Sequence, residues 1–296
     1  MWRTWIGLSI GLWACQRAPS WLAEAPLIGH RVRDDAGRII YLSQPPRRVG
    51  LATPEATPLW TSHPLLQRYL TVACAGEGED SRRFFLPCED TLALRDALTQ
   101  SPLDWVWVPE TLPGPPKEKQ YIFAPKTLWQ WLQHRQVLAE IYDLADLRQE
   151  TESLQTEIAR LTHQAQAERL FRVLVVSSKD SGYVPPSTHP INELIKMAGG
   201  IPLPRESLQI MERLPPEVLI LPAGKTDLVN ALLYQYPHLY ISPALQHQRV
   251  FGLERWMIEE PMRNPIAVFL GLLKIIHPEV GSHLAGTAQE VEKPTE

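Results

Sequence analysis

The sequence predicts an α/β protein: two Rossmann-like lobes with mainly parallel sheets, joined by one long rigid α-helix. Two observations carry this. Leu144, Leu147, Leu154, Ile158, Leu161 and Ala165 recur at helical spacing, and no Gly or Pro interrupts residues 144–168. That is one apolar stripe on a rod of roughly 37 Å at 1.5 Å per residue. On both sides of the rod, short β-branched or aromatic runs alternate with amphipathic segments, the pattern of a mostly parallel sheet covered by helices.

The first lobe spans residues 31–126. Arg31-Val32-Arg33 and Arg38-Ile39-Ile40-Tyr41-Leu42 flank Asp34-Asp35-Ala36-Gly37, a hairpin with an Asp/Gly turn. Val49–Ala52 is a strand, and residues 53–66 are a helix opened by Thr53-Pro54-Glu55. Tyr69–Ala73 is the next strand, followed by a polar loop over 76–83 and a helix over 92–98. Trp105-Val106-Trp107-Val108 is a buried strand stopped by Pro109, and Tyr121-Ile122-Phe123 is one more. Residues 127–168 form a helical connector: Thr127 opens a helix to Tyr142, in which Trp129 and Trp131 pack, and the rod follows.

The second lobe, 169–280, repeats the alternation. Strands are expected at 171–176 and 218–221, with a loop strand at 249–251. Helices are expected at 191–198, closed by Gly199-Gly200, at 227–233 and at 266–276. Residues after Pro278 are small, polar and charged, and 281–296 is expected as a disordered tail.

Composition narrows function. The chain has 296 residues, 44% hydrophobic and 21% charged, enough for two modest cores. A net charge of −4 provides no basic field for nucleic acid. Arg3 precedes a short apolar run, Trp5–Ala14, which is too short to cross a bilayer and suits a signal peptide over residues 1–14. The run ends in Leu12-Trp13-Ala14-Cys15, similar to a bacterial lipobox. Cys15 would then be acylated and tethered to a membrane through residues 15–30; the competing reading is an ordinary signal peptide with an incidental Cys. Export leaves Cys74 and Cys88 in an oxidising compartment. They are expected either to pair, which stabilises by about 3 kcal/mol for so short a loop, or to remain as buried thiols.

No catalytic constellation is present in the sequence: no Walker loop, no His-Glu-x-x-His, no nucleophile elbow. Binding is the better reading. Ligands of open α/β sheets sit beyond the carboxyl ends of the strands, which nominates loops 53–60, 76–85, 109–114, 181–189, 222–226 and 254–263. Trp60, Phe84, Tyr183 and Trp256 offer flat apolar faces, and Arg255 and Arg263 offer forked donors for carboxylate or catecholate oxygens. His63, His189 and Tyr183 are possible iron ligands. Each has a structural alternative: Trp60 packing under its helix, Arg263 pairing with Glu259 or Glu260, Thr188-His189 simply capping a helix.

An ordered set of segments resembles a known family. Val32-Arg33-Asp34-Asp35-Ala36-Gly37-Arg38, Pro46-Arg47-Arg48-Val49 and Pro54-Glu55-Ala56-Thr57 look like the opening of helical-backbone (class III) periplasmic substrate-binding proteins. These serve ABC importers of iron–siderophore complexes, haem and cobalamin. Leu103–Val108, the rod, Ile191–Gly200, Pro216-Glu217-Val218-Leu219-Ile220 and His277-Pro278-Glu279 continue the likeness. The resemblance implies an extracytoplasmic, lipid-anchored monomer that holds a metal chelate between two lobes, has no intrinsic cofactor and is no enzyme. The family's permease-docking carboxylates align with Pro58 and Gln209. Neither can make the ion pair, so Glu55 and Glu206 are the nearest substitutes, and an accessory or scavenger lipoprotein is the alternative.

Overall fold

The computed structural model describes residues 29–75, 85–87, 91–177, 184–225 and 227–282. The chain opens on an antiparallel hairpin, β1 (His30–Arg33) and β2 (Ile39–Leu42), with Val32 and Ile40 turned inward. Its turn is built by Asp34. The carboxylate accepts from the backbone N–H and the guanidinium of Arg38, at 2.8 and 2.7 Å, and Gly37 adopts φ +80°.

A five-stranded sheet follows: β3 (Val49–Leu51), β4 (Leu70–Ala75), β5 (Phe85–Pro87), β6 (Trp105–Val108) and β7 (Gln120–Ile122), in the order β5-β4-β3-β6-β7 and wholly parallel. The expected single helix over 53–66 is instead a 3-10 turn, Pro54–Ala56, then α1 (Thr57–Thr61) and α2 (Pro64–Gln67). Pro64 explains the break: it has no N–H to continue a helix, so it starts a new one behind His63. β5 was not expected; it adds an edge strand beside β4. α3 (Thr91–Gln100) covers the outer face.

The connector is α4 (Leu128–Ile141), capped by the Thr127 hydroxyl, then α5 (Ala145–Ala167), uninterrupted for 23 residues or about 34 Å. Leu147, Ile158, Leu161 and Ala165 are buried as expected. Thr151 joins them, its hydroxyl donating to the Leu147 carbonyl at 2.6 Å. Trp131 is buried, whereas Trp129 is 40% exposed and does not pack as expected.

The second sheet contains β8 (Phe171–Val175), β9 (Gly200–Pro202), β10 (Val218–Pro222) and β11 (Val250–Leu253) in the order β11-β10-β8-β9, again parallel. Its helices are α6 (Ile191–Met197), α7 (Asp227–Gln235), α8 (Pro243–Gln246), α9 (Arg255–Glu259), α10 (Pro265–Ile276) and α11 (Pro278–Ser282). β9 is not legible in the sequence, because three residues starting at the second glycine of Gly199-Gly200 carry no period. Gly199 is required there: φ is +76°, and a Cβ would come within 2.5 Å of the Ala165 carbonyl at the end of the rod. α11 replaces the irregular chain expected after Pro278. The Cys15 anchor, most of the tether and all but the start of the tail lie outside the described residues; β1 already begins at His30.

Both faces of each sheet are covered, as all-parallel sheets require. One inner apolar core runs through both lobes, joining Trp105 and Trp107 to Val173, Ile220 and Phe269 by way of α4, α5 and α10. Each lobe also has its own outer core: Val72, Leu94, Leu98 and Val106 in the first, Leu174, Leu219, Leu232 and Met211 in the second.

Candidate ligand cleft

A cavity of about 700 Å³ lies between the two sheets. The first lobe supplies Thr53 and Glu55 after β3, Pro109 after β6, and Phe123, Ala124, Pro125 and Lys126 after β7. The second supplies Thr188, His189 and Pro190 ahead of α6, and Glu259, Glu260, Pro261 and Met262 at and beyond the end of α9. The cavity is therefore at the carboxyl ends of the strands, where an open sheet leaves backbone groups and loops free to meet a ligand.

The walls are held in place by polar contacts. The Thr53 hydroxyl donates to the Glu55 carboxylate. Behind Phe123–Lys126, the Asp35 carboxylate of the hairpin turn accepts from the Ala124 N–H at 2.7 Å and contacts the His134 ring at 2.9 Å. The other ring nitrogen of His134 meets the Tyr121 hydroxyl at 2.7 Å. Burial, with the nearby Asp35 and Asp34 charges, pushes the Tyr121 phenol well above its ordinary pKa, so it stays protonated. In the second lobe, Glu259 accepts from the Ser177 hydroxyl at 3.0 Å and from the Arg255 guanidinium at 2.9 Å. His189 Nδ1 accepts from the Ile191 N–H at 3.3 Å, and Asn192 donates to the Pro186 carbonyl at 2.7 Å, fixing the entry to α6.

His189 is thus placed in the cleft wall. Trp60 is not: it is fully buried in the first-lobe core, edge-on to Trp105, Trp107 and Tyr142, and the expectation of ligand contact is corrected. A helix only five residues long buries its apolar side completely, and Trp60 is on that side. His63 is also away from the cleft; its ring contacts Asp146 at the start of α5, at 3.1 Å. In segment 254–263 the expected residues flank the cavity rather than line it. Arg255 pairs with Glu259, Trp256 packs on the inner core, and Arg263 is 9% exposed with its guanidinium 5.7 Å from the Trp256 ring. Phe84, Tyr183 and Cys88 lie outside the described residues; Cys74 is disulfide-bonded.

Of the docking candidates, Glu55 lines the cavity, whereas Glu206 is exposed and accepts from the Ser187 N–H at 3.0 Å. Sequence reasoning missed Phe123–Lys126 as a cleft segment, and within the nominated loop 254–263 it did not single out Pro261 and Met262. The position of 123–126 just past a strand was the available signal. Among the described residues, no group of three or more His, Cys, Asp or Glu is placed to hold a metal ion, and no helix is long and apolar enough to cross a membrane.

No protein-family model matches the sequence, and no curated protein sequence does. Solved structures do match in fold. An ABC-type Fe3+-hydroxamate transport protein from Saccharomonospora viridis aligns over 84% of this chain and 99% of its own, at 14% identity and a TM-score of 0.56. The periplasmic vitamin B12 binding protein BtuF of Vibrio cholerae aligns over 80% and 98%, at 14% identity and 0.55. Helicobacter pylori CeuE, solved as a nickel–histidine complex, aligns over 88% and 91%, at 13% identity and 0.56. The chain has the helical-backbone fold of periplasmic binding proteins. In that fold the cleft described above is the gap that the rod spans, bounded by loops from both sheets.

Proposed function

We propose that this is an extracytoplasmic substrate-binding lipoprotein, acylated at Cys15, that captures a metal chelate in the cleft for an ABC importer. The chelate is an iron–siderophore complex, haem or cobalamin. It is cargo, and the protein carries no cofactor of its own. The observation that supports this best is the cavity between the lobes, built from the strand ends of both sheets. Its volume of about 700 Å³ is in the range of small-molecule sites. Phe123, Met262 and four prolines supply apolar surface, worth about 25 cal/mol per Å² buried. Thr53, Glu55, Lys126, Thr188, His189, Glu259 and Glu260 supply the polar contacts that fix orientation. The likeness to proteins named for Fe3+-hydroxamate and vitamin B12 supports the same class of ligand.

Equilibrium dialysis against haem, cobalamin and ferric siderophores tests this. Binding of one of them at micromolar or lower concentration is expected; failure of all three sinks the reading. His189→Ala should weaken that binding about tenfold, some 1.4 kcal/mol.

Pro58 and Gln209 favour a second reading, an accessory or scavenger lipoprotein that passes its ligand to another partner. The double change Pro58→Glu, Gln209→Glu separates the two. If the protein already engages a permease through Glu55 and Glu206, the change leaves affinity for that permease unaltered. A gain of permease binding from none supports the scavenger.

A further inference from the structure

Residues 29–48 hold five arginines and two aspartates, in a chain whose net charge is −4. Both aspartates are engaged inside the fold. Asp34 bonds Arg38, and Asp35 accepts from the Ala124 N–H and contacts His134. Antiparallel pairing then sorts the remaining side chains. Alternation along β1 and β2 turns Val32 and Ile40 inward and leaves Arg31, Arg33, Ile39 and Tyr41 on the outer face. In the register Arg31 is opposite Tyr41 and Arg33 is opposite Ile39, so each cation has a large apolar neighbour across the hairpin. All four are exposed, Ile39 by 44% and Tyr41 by 59%. Among the described residues, neither the Arg31 nor the Arg33 guanidinium makes an ion pair.

A surface depression of about 470 Å³ is bounded by Arg31, Arg33, Gly37 and Ile39. Arg33 lies over the turn glycine: a Cβ on Gly37 would stand 3.4 Å from its guanidinium. The face is held firmly on the first sheet. The Tyr121 hydroxyl donates to the Arg33 carbonyl at 3.3 Å, the Ile122 N–H to Asp34 at 3.3 Å, and the Asp35 N–H to the Ile122 carbonyl at 3.1 Å. Two such cations beside a Tyr ring and a branched aliphatic side chain match the headgroup layer of an anionic bilayer. Guanidinium forks bind phosphate oxygens, a Tyr sits at the boundary between water and acyl chains, and an aliphatic side chain enters the apolar side of that boundary.

We propose that the outer face of the β1–β2 hairpin seats the protein on the headgroups of an anionic lipid bilayer. The proposal rests on the reading of the chain as a tethered extracytoplasmic protein. Fifteen residues separate Cys15 from His30, a reach of at most about 50 Å. The hairpin is therefore the first described element that an anchor at Cys15 would bring to the membrane. The turn that carries this face also holds the cleft, because Asp35 accepts from the N–H of Ala124 in the first-lobe wall at 2.7 Å. A seated hairpin keeps that wall near the bilayer, where an importer would receive the ligand. Each arginine close to an anionic surface favours contact by roughly fivefold, about thirtyfold for the pair.

Hydroxyl-radical labelling of Tyr41 in the full chain, read by mass spectrometry, tests this. The chain is mixed with an excess of vesicles, either phosphatidylcholine alone or phosphatidylcholine and phosphatidylglycerol in equal amounts. The ratio of shielded to open Tyr41 should rise about thirtyfold with the anionic lipid. Tyr234 of the second lobe, 91% exposed, should label equally on both. The double change Arg31→Gln, Arg33→Gln alters two exposed side chains and should abolish the difference. Salt at about 1 M, where the Debye length is about 3 Å, should do the same. Equal labelling of Tyr41 on both vesicles, or an unchanged difference in the double variant, overturns the proposal. Shielding of Tyr41 without vesicles, by inorganic phosphate or by a higher protein concentration, also overturns it and assigns the face to free anions or to a second copy. Sedimentation with the neutral vesicles reads the anchor separately. A chain that stays in solution there removes the lipoprotein reading, and Tyr41 labelling with the anionic vesicles still decides this one.

Discussion

The two lobes share a parallel sheet, a strand-end cleft and one inner core, yet they are packed with different materials. The first lobe is aromatic. Trp60, Trp105, Trp107, Tyr121 and Phe123 are buried, and neighbouring rings lie 4.7 to 6.2 Å apart, mostly edge to face. The second lobe is mostly aliphatic at the corresponding depth, with Val173, Val175, Ile195 and Ile220 and one fully buried ring, Phe269. The contrast follows from element length. β3 and β7 have three residues each and α1 has five, so few positions face inward and each must fill more volume. Large rings also bring polar edges. The indole nitrogens of Trp60, Trp105, Trp107 and Trp131 are buried without hydrogen-bond partners. Edge-to-face geometry offsets part of that cost by setting positive ring edges against negative faces. The first lobe is also stapled by polar side chains: Gln120, fully buried, bonds the backbone of Leu112 and Pro115, and Asp34 and Asp35 tie the hairpin to β7 and its following segment. The lesson is that one architecture can be rigid by ring packing and staples on one side, and by branched aliphatic packing on the other.

Substitutions can break that comparison. The largest effect is expected for Trp107→Ala, which removes a ring touching Trp60, Trp105, Tyr121, Phe123 and His134. Urea unfolding should show a loss of about 3–5 kcal/mol, against about 1 kcal/mol for Ile220→Val in the second lobe. A loss for Trp107→Ala as small as that for Ile220→Val would mean the aromatic cluster is loosely packed. Asp34→Ala comes next. It removes the acceptor of the Arg38 backbone N–H, the Arg38 Nε and the Ile122 N–H, leaving Arg38 only its bond to the Gln120 carbonyl, and a loss of about 2–3 kcal/mol is expected from the same measurement. If the hairpin were a mere appendage, the change would be silent. Tyr142→Phe, which deletes the hydroxyl donated to the Pro46 carbonyl at 2.7 Å, should be the mildest, about 1 kcal/mol. Its ring stacks on Tyr69 with centroids 4.8 Å apart, and that contact survives the change.

Much of the fold was legible because it repeats. The stripe on α5, the Val-Trp alternation of β6 and the Pro-Glu-Val-Leu-Ile entry to β10 are periodic over several residues, and periodicity is what a linear reading detects. β5, β9 and the break at Pro64 were not legible as elements, since three residues hold no period and pairing with a neighbour decides whether they become a strand. The site was read less well. Every wall segment but 123–126 was located, because ligands gather beyond strand ends whatever the residues are. Which side chain in a segment faces the gap was not readable: Trp60 turned to the core, and Glu259 faced the cavity that Arg255 and Arg263 only flank.

By itself, the amino-acid order determined that a stiff uninterrupted helix separates two strand–helix repeats. Apolar spacing, and the lack of Gly or Pro over residues 144–168, are local facts needing no partner. Only the tertiary structure decided that the cavity wall is made of Phe123–Lys126 facing Glu259–Met262. Those segments are far apart in the sequence, and the packing of α4, α6 and α10 on a common core sets the distance between them.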